Sequence, residues 1–569
     1  MSKKTNICFS ISLFLLSVSV QAQNNNPRAA YDTFKKQARQ RYEDFRSKAN
    51  KQYADFLAQT WKSFKVSAPV PKPIEKDVIP VKYDEESYRN HRRRPQLKEG
   101  EKEYEEDKDH GKHVVVVRHG RDGKAVINDD DGREADEKLK EEQDKKLKEE
   151  QNKKLKEEQK EEQKKEQDKR ENDNRRIEID EVITPPAPQP QPKPVSPIYE
   201  QEGSQESFPV TFFRLTCPVR LTAGQKTALK GVDERSVSAA WSRLSENGYD
   251  NAIRDLLELR LKYDLCDWSY LLLIDQVAQQ FCGKNTNEAV LLMAYLYCQS
   301  GYKMRLASDG SHLYMLYASQ HMIYNKRYFY IDGTSFYIYG DCNASSLHIS
   351  DVSFPSETPL SLIVGKEQKL GVDMSVTRQL TSGQYPAVSI ALSENKALMD
   401  FYSTYPTSKL GDNDVSRWAL YANTPICRQT REQLYPALRR AIGGKTTLQQ
   451  VSMILNWVQT AFVYEYDDKV WGGDRAFFPD ETLYYPYCDC EDRSILFSRI
   501  VSDLLGLEVA LLYYPGHLAA AVCFEENVNG DYLIIGGKKF VVTDPTYIGA
   551  PVGATMPGMD NKTAKAIVL

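Results

Sequence analysis

The stretch Tyr487-Cys488-Asp489-Cys490-Glu491-Asp492-Arg493-Ser494 decides how this chain is read. It stands directly before an apolar helical pattern that runs from about Glu491 to Leu505 and stops at Gly506. Asp489 is a good N-cap residue, because its carboxylate can accept from the unpaired N–H groups of a first turn. Cys490 then falls in that turn, where backbone N–H groups and the helix dipole favour a thiolate. The expectation is a cysteine of lowered pKa, poised as a nucleophile.

A nucleophile needs a base, and the base an orienting acceptor. His517, the one histidine after Cys490, lies 27 residues on, at the start of a strand pattern. Asp544 lies a further 27 residues on, at the end of another strand pattern in Val541-Val542-Thr543-Asp544-Pro545-Thr546. On paired strands a His and an Asp far apart in sequence become neighbours. A cysteine on a helix N-terminus followed by His and Asp on strands is the papain-like layout in that chain order. Singly, each residue has a plain explanation: a buried Cys is a small hydrophobe, a lone His is a structural residue, and Asp-Pro-Thr is a turn. Three of them in this order on these elements point to chemistry.

These residues belong to three motifs: Asp489-Cys490-Glu491-Asp492-Arg493-Ser494, Pro515-Gly516-His517-Leu518 and Asp544-Pro545-Thr546-Tyr547. Upstream stand Trp457-Val458-Gln459, Phe462-Val463-Tyr464 and Pro479-Asp480-Glu481-Thr482-Leu483. Together they make residues 430 to 552 resemble the transglutaminase-like superfamily. Bacterial members often carry Gly-Asp-Cys-Glu-Asp; here Cys488 stands where Gly is usual, a second thiol that could enter a mixed or regulatory disulfide. The resemblance implies an α+β, papain-like core of helices packed on an antiparallel sheet. It implies acyl transfer with Cys490 as nucleophile, His517 as proton donor to the leaving amine, and Asp544 fixing the imidazole tautomer. One oxyanion donor is then the Cys490 N–H; a second is usually an upstream side chain, for which Tyr464, Gln459 and Trp471 are the candidates. No metal and no organic cofactor is implied. The function expected is a cysteine peptidase or amidase acting on peptide or peptidoglycan-peptide amides. A non-enzymatic binding or scaffold protein and a protein-glutamine amine transferase are the alternatives.

Working outward, the pattern around the motif occurs twice. Sliding the chain by 205 positions lays Gly506 on Gly301, His517 on His312, and Leu496, Leu511 and Leu518 on Leu291, Leu306 and Leu313. Cys490 then falls on Asn285, and Asp332 follows the strand pattern Phe329-Tyr330-Ile331. Helical patterns at 224–263, 268–282 and 287–299 precede strand patterns at 303–307, 312–317, 328–331 and 335–339. Near the motif, helices at 430–442, 446–460 and 491–505 precede strands at 508–513, 518–524, 531–535 and 539–543. The expectation is two copies of one fold, the first degenerate in Asn285, His312 and Asp332. An amide cannot form a thioester, so that copy is read as an inactive binding or scaffolding module.

The rest of the chain is read by composition. Of 569 residues, 76 are Lys or Arg and 80 Asp or Glu, for a net charge of −4. That balance lacks the basic excess of a nucleic-acid binder, so no nucleic-acid partner is expected. Lys3 and Lys4, the apolar run Phe9–Val20 and the small-residue site at Val20-Gln21-Ala22 read as a signal peptide over 1–22. The run is too short to span a bilayer, so the protein is expected to be exported, periplasmic or secreted, with no integral membrane segment. Residues 23–66 read as a helical segment that docks on the main body. Residues 67–200 read as a disordered charged and Pro-rich spacer, with an eight-residue Glu/Lys repeat at 141–156 that cannot bury a core. The domains expected are 201–372 for the degenerate copy, 373–429 for a β-rich connection and 430–569 for the catalytic copy. Inside the spacer, Val114–Gly120 matches a strand-plus-Arg-His-Gly phosphatase start, but no α/β pattern follows, so it reads as a chance match or a short strand. Ten cysteines become nine after signal removal, an odd number with no C-x-x-C pair, so at least one thiol stays free.

Overall fold

A computed structural model describes residues 27–73, 79–85, 177–179, 182–184, 190–202, 206–246, 248–411 and 413–569. The signal segment, the Glu/Lys repeat and the Val114–Gly120 stretch lie outside the described residues.

The chain is mixed α+β, and the same order of elements occurs twice. The first run opens with the hairpin Phe208–Phe212 and Leu215–Val219 and continues through the helices Asp250–Lys262, Asp267–Cys282 and Asn287–Gln299. Five strands of one sheet follow: Met304–Ser308, Leu313–Ala318, Tyr328–Ile331, Thr334–Ile338 and Ser346–Ile349. The second run has the hairpin Arg378–Thr381 and Ser389–Leu392 and the helices Arg428–Ile442, Thr447–Ala461 and Cys490–Leu505. Its strands are Val509–Tyr514, His517–Cys523, Tyr532–Ile535, Lys538–Thr543 and Lys565–Val568. In both sheets the spatial order is fifth strand, first, second, fourth, third, and all these pairings are antiparallel.

Period-two alternation accounts for how the second sheet is buried on both faces. In Val509–Tyr514 the side chains of Val509 and Leu511 join cores shared with helices, while Ala510, Leu512 and Tyr514 join a separate cluster with Ala519, Ala521, Leu533 and Val542. That second cluster is the inside of a barrel, because one short segment pairs with both edges of the sheet. Ile177 and Glu178 pair with Leu533 and Ile534 at one edge; Val182 and Ile183 pair with Ala566 and Ile567 at the other. Ile179 between them is buried inside. The first sheet is closed the same way: Lys62–Lys65 pairs with Ser346–Ile349, Ser67 bridges to Tyr328, and Phe64 and Val66 point inward. Closure removes the exposed edges that an open sheet would present.

Both closing strands lie in regions that composition assigns to other roles. The N-terminal helix ends at Leu57, and 62–65 is a strand rather than helix. The region 67–200 is not spacer throughout: Lys72 pairs with Asp474 at 2.9 Å, Tyr83 packs on Tyr547, and 177–178 and 182–183 pair with the two edges of the second sheet. Pro-rich 190–200 docks on the first run so closely that a Cβ on Gly301 would lie 2.0 Å from the Lys193 carbonyl. In 373–429 the hairpin is followed by two short helices, Lys396–Ser403 and Arg417–Ala422. The first of these helices touches both runs: Phe401 lies on Phe213 of the first at 5.9 Å, and Tyr402 stacks on Phe478 of the second at 4.1 Å. The helix Pro27–Leu57 docks through Tyr53 on Trp241 and through Asn50 on Gln299. Among the described residues no helix is long and apolar enough to cross a membrane.

Candidate active site

Asp489 caps the helix Cys490–Leu505 in extended backbone, accepting from Asp492 N, while the Asp492 carboxylate accepts from Asp489 N at 3.3 Å. Gly506 ends the helix in the left-handed region at φ 68°, which glycine adopts without a Cβ penalty. Ser494 Oγ donates to the Leu518 carbonyl at 2.8 Å and ties the helix to the strand His517–Cys523. Cys490 is thereby the first residue of the helix, beside the start of that strand.

Cys490 is 3% exposed, and its thiol donates to Glu491 Oε2 at 3.1 Å. Its pKa is raised well above the ordinary thiol value, by burial first and then by the charges of Glu491 and Asp489; the Leu518 N–H opposes them. The expected lowering is therefore overturned: a helix N-terminus favours a thiolate, but desolvation and two adjacent carboxylates outweigh it.

His517, 2% exposed, places Nε2 2.9 Å from Asp544 Oδ2. A carboxylate only accepts, so Nε2 donates to it, and in the neutral ring the lone pair is on Nδ1. Nδ1 is buried without a hydrogen-bond partner. The other Asp544 oxygen accepts from Thr546 N at 2.8 Å and Tyr547 N at 3.2 Å, which fixes the carboxylate in place. Tyr514, directly opposite His517 in the sheet, lays its ring against the imidazole.

Cys490 and His517 line one cavity of about 10 Å³ with Glu491, Arg417, Trp418 and Asp474. That is room for about one water. Arg417 and Trp418, in the second short helix after the hairpin of the second run, form its roof: Trp418 stacks on Tyr513 at 5.2 Å, and Arg417 lies over Trp418 and 3.5 Å from Asp474. These roof residues carry no motif and fall in a stretch read as connection.

The three oxyanion candidates lie elsewhere. Gln459 Nε2 donates to the carbonyls of Asp544, Tyr547 and Ala550 at 3.0, 2.9 and 3.2 Å, and its Oε1 accepts from Gly549 N at 3.1 Å. It holds the loop that carries Asp544. Tyr464 faces the buried Arg493, whose guanidinium donates to the Gln459 and Phe462 carbonyls and to Cys488 Sγ. Cys488 is thus engaged with Arg493, while Cys490 is engaged with Glu491. Trp471 packs with Phe477, Tyr485 and Arg475, outside the cavity. All nine described cysteines are free thiols.

In the first run the residues Asn285, His312 and Asp332 do not assemble. Thr286 caps the helix, so Asn287 is its first residue and Asn285 stands outside it, exposed, at φ 58°. The His312 side chain is 68% exposed and lies on Asp309. Asp332 sits in the turn between Tyr328–Ile331 and Thr334–Ile338, at the far end of the hairpin. Register and face together give the counterparts. Leu316 and Ile338 pair and point into the first barrel, as Ala521 and Val542 do in the second. Leu313 therefore stands for Leu518, His312 for His517 and Gly340 for Asp544. Asn285, Asn287, His312 and Gly340 line a groove of about 720 Å³.

Acidic groups crowd the active helix turn. Asp467, Asp489 and Asp492 bring oxygens within 4.8 Å of one another, as do Asp467, Asp474 and Glu491. Backbone N–H groups of Arg475 and Phe477 already bind Asp467 and Asp492. Comparison with protein-family models, curated proteins and solved structures finds no match to this chain.

Proposed function

We propose that residues 430–569 form a transglutaminase-like catalytic core and that the chain is an exported cysteine peptidase or amidase acting on peptide or cell-wall peptide amides. The observation that carries this reading is the buried His517–Asp544 pair at 2.9 Å, its Nδ1 without a partner, in a cavity that His517 lines together with Cys490. In the proposed reaction His517 Nδ1 takes the Cys490 proton, and the thiolate adds to the amide carbonyl carbon. The Cys490 N–H, in the first turn of its helix, stabilises the oxyanion. The imidazolium then protonates the leaving amine as the C–N bond breaks, leaving a thioester. Water, deprotonated by His517, releases the acid and restores the thiol. An amine in place of water would make the outcome transfer.

The first run, with asparagine, histidine and glycine at the matched positions, is by this reading a relative without a nucleophile, which binds or scaffolds. One observation favours a second, non-enzymatic reading of the whole chain: the cavity admits about one water and the thiol is held protonated. Catalysis then requires the Arg417–Trp418 roof to lift. Site-resolved alkylation of Cys490 between about pH 5 and 9 separates the readings. Selective labelling that disappears in Cys490→Ala, together with amide hydrolysis in a peptide and muropeptide library lost in the same variant, supports the enzyme. Reactivity at Cys490 no greater than at the other thiols across that range would sink it.

A further inference from the structure

Away from the catalytic cavity, the chain buries a second cluster of chemistry-bearing side chains. Glu394 ends the hairpin of the second run, Cys427 precedes the helix Arg428–Ile442, and Asp480 lies in the short helix Pro479–Tyr484. The Cys427 sulfur and one oxygen from each carboxylate lie within 4.8 Å of one another, and all three residues are buried. Two carboxyls and a thiol share a dry interior, where unpaired charge is costly. The cation acting on Glu394 is Arg378, and Arg378 is committed to the carbonyls of Leu483, Tyr484 and Tyr485 at 3.0, 2.8 and 2.8 Å. Glu394 is 1% exposed, and its Oε1 has no hydrogen-bond partner. A side chain that could have been packed apolar instead presents a bare acceptor to a sulfur and another carboxylate.

We infer that Glu394, Cys427 and Asp480 form a structural site for a divalent metal, with zinc as the ion that this donor set selects. A thiolate beside carboxylate oxygens suits borderline-soft Zn²⁺ and disfavours Ca²⁺ and Mg²⁺, which take oxygen alone. Tetrahedral zinc would draw the three ligand atoms to roughly 3.5 Å apart, a contraction of about an ångström from their present limit. Thr430 Oγ1 lies 3.1 Å from Cys427 Sγ and donates to Glu394 Oε2 at 2.5 Å, so a further oxygen is at hand. The Cys427 N–H donates to Asp480 at 3.0 Å, an outer-shell bond of the kind that orients a ligating carboxylate. The bound ion would pin the hairpin, the long helix and the segment leading to Cys490. It takes no part in the acyl-transfer reading and stands or falls apart from it.

The test uses the full chain, stripped with a chelator and then given Zn²⁺ or Co²⁺ alone. The expected result is about one equivalent of zinc retained after desalting, and a thiolate-to-cobalt charge-transfer band with Co²⁺. The band should vanish in Cys427→Ala and persist in Cys490→Ala. Glu394→Gln, which keeps the side-chain volume, should weaken zinc by about tenfold or more. Wild-type protein that retains no zinc, or a cobalt band that survives Cys427→Ala, overturns the proposal, and the wild-type measurement decides even where a variant does not fold.

Discussion

Asp544→Asn should silence Cys490 while leaving the fold nearly intact. Asparagine can keep one oxygen on the Thr546 and Tyr547 N–H groups, which the carboxylate now holds at 2.8 and 3.2 Å. Those bonds fall from charge-assisted to neutral, at a cost of about 1–2 kcal/mol. With its oxygen so placed, the new amide NH₂ faces His517 Nε2 and must donate to it. The imidazole proton then moves to Nδ1, which becomes a donor instead of a base. Loss of a positioned base is worth roughly 10²–10⁴ in rate, or about 2.7–5.5 kcal/mol of barrier. Both quantities are measurable on one preparation: the alkylation rate of Cys490 by site-resolved mass spectrometry, and stability by denaturant melt. Asp544→Ala is the contrast, since it leaves both N–H groups unpaired and should lose stability as well. Alkylation of Asp544→Asn within about threefold of wild type, with an unchanged melt, would refute the assignment of His517 as the base.

Gln459→Leu should cost about 2–5 kcal/mol in a denaturant melt, because the Asp544 and Ala550 carbonyls and the Gly549 N–H lose the Gln459 amide and the Tyr547 carbonyl keeps only the Ala550 N–H; a loss under about 1 kcal/mol would contradict its role as anchor of the Asp544 loop. Glu491→Gln should lower the Cys490 pKa and speed its alkylation at neutral pH, since burial first and the Glu491 charge next push the thiol up; an unchanged or slower rate is the opposing result. Asp467, pushed up to about 8 chiefly by burial and then by Glu491, binds a proton in the folded state that the unfolded chain releases above its ordinary value near 3.8. Stability from this group is therefore present at low pH and lost as pH rises through about 8, so the melting temperature should fall from pH 5 to pH 8, and Asp467→Asn should flatten that slope. Asn285→Ala should leave any turnover unchanged, and a large loss would give the first run a part in catalysis.

What was legible in the sequence was what neighbours in sequence decide. The helix Cys490–Leu505 was readable because its cap, its apolar face and its stop at Gly506 lie within one short stretch. Strands such as Val509–Tyr514 and Lys538–Thr543 were readable because each is a β-branched or aromatic run between turns. His517 and Asp544 stood out as polar residues at strand ends. The closing strands were not readable. Ile177–Glu178 and Val182–Ile183 are too short to show a period, and they flank a charged run that sets the local composition. They are strands because two distant edges offer unpaired backbone groups, a fact about the folded sheet alone. The raised thiol pKa was hidden for a related reason: the Asp489-Cys490-Glu491 sequence was visible, but the burial that makes those charges count was not. The roof residues Arg417 and Trp418 have no local signature, and Glu394, Cys427 and Asp480 are scattered across the chain.

The two runs share the turn and diverge in what surrounds it. In the second, Pro515 and Gly516 join Tyr514 to His517. In the first, Gly310 and Ser311 join Asp309 to His312, whose carbonyl accepts from the Asp309 N–H at 3.3 Å. His312 keeps the histidine's position, but its side chain lies on Asp309 at the surface. Retaining catalysis in that run would have required a cysteine at the helix start and an acid at Gly340. It has neither, yet the groove there is far roomier than the closed cavity around Cys490. The space open to a ligand and the residues fit for covalent chemistry therefore lie in different halves of the chain, as expected if one run holds a partner and the other acts once its roof opens.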